Sequence, residues 1–306
     1  MISERTERKA LNGTRRLLIV LPVAAVLLAL CVSLLACTRT DPKPAGPPEK
    51  VTIAYAPTNS ILAQVAQARG YYLQEGLEAT LQLQPYGKLG LKEMLEGKAD
   101  FAICGETPIL FAIMNGEKIS IIATIQTSNK DSAIIARRDK GILTPSDLKG
   151  RKIGLTSGTV ADFFTDAFLA VNGISRKKMN VVVLKADDLP DALANGEVDA
   201  IATFSPFVTQ AQKKLGNRGI TFYGKDIYTQ TFDVVATQEY IRRNPGKVRK
   251  LLSALINAEK FVGENRVEAQ KIVADFNRMD IAMLRDIWAV TSYSITLDQQ
   301  LLLALE

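Results

Sequence analysis

Two stretches of this chain echo one another about a hundred residues apart, and that echo narrows the folds open to it. Val51-Thr-Ile-Ala-Tyr-Ala-Pro-Thr-Asn59 reads as a short strand running into a polar turn, and Arg151-Lys-Ile-Gly-Leu-Thr-Ser-Gly-Thr159 repeats the plan, with Ile53 matched by Ile153. Leu95-Glu-Gly97-Lys-Ala-Asp100 returns as Ala194-Asn-Gly196-Glu-Val-Asp199, and each copy leads into a polar-Pro turn, Thr107-Pro108 and Ser205-Pro206. A strand that turns directly into a helix leaves backbone N–H groups without intrahelical partners at the helix start, where the macrodipole is positive. Two α/β units, each offering two such turns, predict two lobes facing one another across a cleft.

The second of these stretches carries the strongest local signal. After Ser157-Gly158-Thr159, the residues Val160, Phe163, Phe164, Ala167 and Val171 recur at helical spacing, and Gly173 supplies the stop. Thr159 with Asp162 fits a capping box, and Ser157 is an equally good N-cap. On the turn alone, a plainly capped helix and an anion-binding helix start are both open.

The front of the chain belongs to targeting. Arg5, Arg8, Lys9, Arg15 and Arg16 form a basic region, followed by an apolar run from Leu17 to Ala36 interrupted by Pro22 and Ser33. Its length suits a membrane-spanning helix, yet it ends in Leu34-Leu-Ala-Cys37, which resembles the lipobox of bacterial lipoproteins. Residues 1–36 are therefore read as a lipoprotein signal peptide and Cys37 as the lipidated residue, with a retained anchor helix as the alternative. Either reading places the rest of the protein outside the cytoplasmic membrane, tethered to it. Residues 37–50, with Pro42, Pro44, Pro47 and Pro48, are an extended tether.

The formal charge of +6 is partly a property of this leader. Without residues 1–36 the chain carries 33 basic and 30 acidic side chains, and no basic block of nucleic-acid type remains. Cys31 leaves with the leader and Cys37 takes the lipid, so Cys104 has no disulfide partner and is read as a small buried hydrophobe. The chain has no histidine, which removes His-dependent triads, His-containing zinc sites and imidazole proton shuttles. No metal, cofactor or catalytic residue is expected.

Short strands alternate with helices from Val51 to about Ile220–Tyr223, the pattern of parallel α/β sheets. Ile119–Ile125, apolar but for Ser120 and Thr124, is read as the kind of strand a doubly covered parallel sheet requires. After the strand Thr231–Ala236 the chain reads as helical: Pro245–Val262, Arg266–Phe276 and Ile281–Ala289. Crossings between lobes are expected near Arg137–Thr144 and Gly224–Thr231. The expected division is one discontinuous lobe of residues 51–138 with 231–306, a second lobe of residues 139–230, and a hinge where the chain crosses.

Gly70-Tyr-Tyr-Leu-Gln-Glu-Gly-Leu-Glu78, Leu95-Glu-Gly-Lys-Ala-Asp100, Asp147-Leu-Lys-Gly-Arg-Lys-Ile-Gly-Leu-Thr-Ser-Gly-Thr159 and Gly196-Glu-Val-Asp-Ala200 together resemble, in order, the solute-binding proteins of nitrate, sulfonate, taurine and thiamine-precursor ABC importers. The resemblance implies a two-lobed type II periplasmic-binding fold, each lobe a mostly parallel sheet flanked by helices. It implies a monomer that closes on one small molecule and hands it to a permease and its ATPase. Carried over by position, Ser157, Gly158 and Thr159 would hold an oxyanion head, faced by Thr58 and Asn59, by Glu106 and Thr107, and by Phe204 and Ser205. Glu106 either pairs with the amine of a zwitterion such as taurine or merely caps its helix. The family continues beyond Leu301–Glu306, where this chain stops, which suggests a truncated end. Its catalytic relatives, the pyrimidine synthases, carry a cysteine-rich signature and histidine chemistry that this chain lacks. A lyase or synthase would need an acid–base pair from Glu106, Asp131 and Asp233, and a ligand sensor would use the same closure as an importer component. Trp288 and Tyr293 are expected to pack, and Arg137-Arg138 and Arg242-Arg243 to be solvated.

Overall fold

The computed structural model describes residues 46–224 and 227–297. The signal-peptide reading, Cys37, most of the tether and the end at Leu301–Glu306 fall outside them. Among the described residues, no helix is long and apolar enough to cross a membrane.

The elements follow the expected alternation. They are β1 (Glu49–Tyr55), α1 (Ile61–Ala68), α2 (Tyr71–Gln74), β2 (Leu77–Leu83), α3 (Gly87–Leu95), β3 (Phe101–Gly105), α4 (Glu106–Met114), β4 (Ile119–Ser128) and β5 (Ser132–Arg137). Then come β6 (Lys152–Leu155), α5 (Val160–Val171), β7 (Asn180–Val183), α6 (Leu189–Asn195), β8 (Ala200–Phe204), α7 (Phe207–Leu215), β9 (Gly219–Tyr223) and β10 (Gln230–Thr237). The chain closes with α8 (Gln238–Arg243), α9 (Pro245–Glu264), α10 (Arg266–Asn277), α11 (Ile281–Trp288) and β11 (Thr291–Thr296). The turn glycines Gly97 and Gly196 both have left-handed backbone, at φ 74° and 81°, where a side chain would be strained.

Two sheets result, in the orders β11-β4-β10-β3-β1-β2 and β7-β6-β8-β5-β9. Each is mixed rather than mostly parallel. β1 pairs in parallel with β2 and β3, and β6 with β7 and β8, while β10 runs antiparallel to β3 and β4, and β5 antiparallel to β8 and β9. Apart from the edge strand β11, which pairs antiparallel with β4, the antiparallel strands are those beside the crossings, because a chain that enters a lobe and leaves it again must run back through the sheet. An apolar run such as Ile119–Ile125 shows that a strand is covered on both faces, but not which way it points.

The strand Ser132–Arg137 lies in the second sheet, so the first crossing falls at 129–131 and not after Arg138. The return crossing spans the residues between β9 and β10. β11 replaces the expected all-helical end: Tyr293 stands on this edge strand and packs on Trp288 with ring centres 4.7 Å apart. Arg137 is buried, not solvated; its guanidinium pairs with Asp139 and donates to the carbonyls of Leu193 and Ala194 at the end of α6.

Both sheets are covered on both faces. In the first, α1, α9, α10 and α11 bury Ile61, Leu62, Leu255 and Leu284 on one side, and α3 with α4 bury Leu91, Met94 and Ile109 on the other. In the second, α5 packs Phe164 and Phe168 on one face, and α6 with α7 pack Leu193, Val208 and Leu215 on the opposite face. Burial of side chains of this size stabilises by about 2 kcal/mol each before entropy is set against it.

Candidate functional site

The carboxyl ends of the parallel strands point toward the gap between the sheets, the usual position for a ligand in an α/β fold. β1 turns through Pro57-Thr58-Asn59-Ser60 into α1, β2 through Pro85-Tyr86 into α3, β3 through Gly105 directly into α4, and β6 through Thr156–Thr159 into α5. A cavity of ≈ 30 Å³ sits where these four helix starts meet. It is lined from the first lobe by Asn59, Tyr86, Gly87, Lys88, Gly105, Pro108, Gln230 and Phe232, and from the second by Thr159, Val160 and Phe204.

The lining is donor-rich and aromatic. Asn59 uses its side-chain oxygen to accept from Ser60, and Gln230 uses its oxygen to accept from Ser132. Their amide nitrogens lie close to the cavity-lining glycines: a Cβ added at Gly87 would stand 3.2 Å from Asn59 Nδ2, and one at Gly105 would stand 3.4 Å from Gln230 Nε2. Tyr86 of the first lobe and Phe204 of the second face each other with ring centres 6.2 Å apart. Hydrogen bonds tie the lobes, the Ser132–Gln230 pair among them. The Thr58 hydroxyl donates to the Ser205 carbonyl at 3.1 Å, and Lys88 Nζ donates to the Ser157 carbonyl at 2.7 Å.

The nine expected site residues divide into three sets. Asn59, Thr159 and Phe204 line the cavity, and Thr58 meets Ser205 across the gap. Ser157 and Gly158 stand at its outer edge, and their donors are already engaged by this chain: the Gly158 N–H and the Ser157 hydroxyl both donate to Asp162 Oδ2. The Thr159 hydroxyl donates to the Thr156 carbonyl, so the capping box is replaced by a carboxylate that reaches one residue further back. Burial works against the charge on Asp162, but the Gly158 N–H and the Arg176 guanidinium outweigh it and hold the carboxyl below its usual range.

Glu106 and Thr107 make the third set, beneath the cavity. Glu106 Oε2 accepts from the Thr231 N–H at 2.9 Å and Oε1 from the Thr107 hydroxyl at 2.9 Å. The Thr231 hydroxyl lies 3.3 Å from Glu106 and 2.8 Å from Asp233, which also accepts from Thr124. Burial, reinforced by the Asp233 charge, pushes the Glu106 carboxyl up to about 7. Burial likewise raises Asp131, beside Ser205 at the crossing, to about 7. Among the described residues, no group of acidic or cysteine side chains could hold a metal ion.

Tyr86, Gly87, Lys88, Gln230 and Phe232 were not foreseen as site residues. The first three carry the signature that marked the other turns, a proline and small polar residues between a strand and a helix, in Gln84-Pro-Tyr-Gly-Lys88. Gln230 lies on the return crossing, which sequence reading treats only as a hinge.

Two α/β lobes joined by two crossings, with helix starts converging on a cavity between them, define the bilobal binding-protein fold. The alkanesulfonate-binding protein SsuA from Xanthomonas axonopodis pv. citri, solved bound to MOPS, superposes with a TM-score of 0.76 at 22% identity, covering 85% of this chain and 91% of that one. The periplasmic aliphatic sulphonate binding protein SsuA from Escherichia coli gives 0.73 at 18%, over 84% and 89%. Residues 57–269 match the family described as "NMT1/THI5 like", and the chain belongs to that family. A candidate aliphatic sulfonates-binding protein of Bacillus subtilis (strain 168) is 24% identical over 73% of this chain and 68% of its own length. A candidate binding protein of Brucella abortus (strain 2308) is 24% identical over 73% and 69%.

Proposed function

We propose that this protein is the lipid-anchored, extracytoplasmic solute-binding component of an ABC importer. It captures a small oxyanion-bearing solute by closing its lobes, as a monomer tethered through Cys37, and delivers the solute to a permease and ATPase pair without chemistry of its own. The observation that carries the reading is the convergence of four helix starts and two side-chain amides on one interlobe cavity. Such a site offers N–H donors and positive dipole ends and needs no arginine. The sulfonate-binding names among the relatives and structural neighbours support the same class of head group.

Two details refine this proposal. The oxyanion seat is the Thr159–Val160 side of the α5 start, because Asp162 already fills the Ser157–Gly158 side. Glu106 serves the fold: its oxygens accept from Thr107 and Thr231, so a simple anion is favoured over a zwitterion whose amine would need that carboxylate.

A thermal-shift panel of nitrate, bicarbonate, ethanesulfonate, taurine, aromatic carboxylates and a thiamine pyrimidine tests the proposal on the full chain in lipid nanodiscs. A ligand at about 100 times its Kd stabilises by about 2.7 kcal/mol. A shift with ethanesulfonate at least as large as with taurine is the expected result. Silence across the oxyanions would sink the function, and a shift confined to taurine would return Glu106 to the ligand.

A further inference from the structure

Gln230 is held by both lobes at once. It opens β10 in the first sheet, opposite Ser128 at the end of β4, and the N–H of the next residue, Thr231, is pinned by buried Glu106. Its backbone therefore belongs to the first lobe. Its side chain reaches the second: Oε1 accepts at 3.1 Å from the hydroxyl of Ser132, the first residue of β5. Ser132 in turn stands opposite Phe204 in the register of β5 and β8, and Phe204 is the aromatic wall that the second lobe gives the cavity. The other end of the same amide, Nε2, lies beside Gly105, and Gln230 and Gly105 both line the cavity. Gln230 is 3% exposed, so Nε2 meets a solute only through that cavity.

An amide is planar, so fixing its oxygen fixes where its nitrogen donates. Glutamine has many rotamers to lose, and the Ser132 hydroxyl restricts them before a solute arrives, which preorganises the donor. The effect also runs the other way, because a solute that accepts from Nε2 holds Oε1 on Ser132. Residues 129–131 separate β4 from β5, so a lobe rotation taken up there turns the Ser132 hydroxyl relative to Gln230. Hydrogen bonds weaken steeply with angle, so the bond favours one lobe arrangement. We propose that Gln230 is the positioning residue through which the bound solute senses lobe closure: Nε2 donates to the oxyanion while Oε1, through Ser132, holds the second lobe and its Phe204 wall in place. This inference rests on the oxyanion-binding reading above and adds how that site regulates closure.

A double-mutant cycle in solute binding tests it, by titration calorimetry of the full chain in nanodiscs with ethanesulfonate and nitrate as probes and empty discs as the blank. Gln230→Ala is expected to weaken whichever probe binds by about 10- to 100-fold, the loss of a hydrogen bond to a charged group. Ser132→Ala, which leaves the donor in place, is expected to weaken it by about three- to tenfold, and Ser132→Thr to restore it. In the Gln230→Ala background, Ser132→Ala should cost nothing further. Gln230→Glu keeps the side chain's size and its acceptor for Ser132, and should abolish binding of both anions; it serves in place of Gln230→Ala should that variant not fold. Equal losses from Ser132→Ala with and without Gln230 would make Ser132 merely structural and overturn the inference. Wild-type affinity in Ser132→Ala, or in Gln230→Glu, overturns it as well and leaves the solute-binding function standing. Silence of the wild type toward both probes overturns the oxyanion reading itself, and this inference with it.

Discussion

Replacing Glu106 by Gln is expected to remove a large part of the protein's pH dependence of stability. The carboxyl is buried, accepts from the Thr231 N–H, and shares the Thr231 hydroxyl with Asp233. In the fold it titrates at about 7 rather than 4.5. At 1.36 kcal/mol per pH unit, the charged form is disfavoured by roughly 3 kcal/mol relative to the unfolded chain. Because the folded value is raised, this group's contribution is complete below pH 4.5 and is lost as pH climbs through about 7. Asp131, raised from 3.8 to about 7, acts in the same direction with similar size.

The window is unusually clean, since the chain has no histidine to titrate within it. The carboxyls held below their usual range, Asp139, Asp147 and Asp280 among them, change only at more acid pH. Urea unfolding at pH 5 and pH 8 is the assay. With a slope of about 2 to 3 kcal/mol per molar for a domain of this size, losing the Glu106 contribution moves the midpoint by roughly 1 M. The wild type should therefore be markedly more stable at pH 5 than at pH 8, and Glu106→Gln should retain only about half of that difference, the part due to Asp131. An unchanged difference in the variant would refute the buried-carboxyl account.

Two further outcomes follow from packing. Gly87→Ala should destabilise by about 1 to 3 kcal/mol and weaken ligand binding, because the new methyl would stand 2.8 Å from Cys104 Cα and push the start of α3 off β3; chemical denaturation together with the thermal-shift panel checks it, and a neutral variant would disprove the close approach. Cys104 is fully buried beside Asp233 and Glu106, and burial raises its thiol well above the usual range. It should resist a thiol reagent in the folded protein and react once urea unfolds it, as timed labelling with mass readout would show.

Much of this protein is written in local pattern. Strand and helix periodicity, the turn glycines Gly97 and Gly196, and the polar residues that close each strand depend on neighbours within a few positions, so Thr58, Asn59, Thr159 and Phe204 could be read directly from the chain as cleft residues. The same local logic applies to Gln84-Pro-Tyr-Gly-Lys88, which carries the same strand-to-helix turn signal. Strand direction, in contrast, is not a local property. Val234 and Ile134 are as apolar as Ile53, yet β10 and β5 run against their neighbours because the chain must leave and re-enter each lobe. Sheet membership is no more local: β4 ends in the first sheet and Ser132–Arg137 belongs to the second, so the crossing falls at 129–131.

The identity of each turn's partner was likewise decided in three dimensions. The Ser157–Gly158 turn has the composition of an anion seat, but Asp162 folds back one helical turn to fill part of it, with Arg176 holding the carboxylate from outside. Glu106 has the composition of a ligand contact, but Thr231, 125 residues away, occupies it. Composition determines that a backbone N–H or a carboxylate will need a partner. Whether that partner is a solute or another part of the chain depends on which groups the folded sheets bring within 3 Å, and only the tertiary structure sets that.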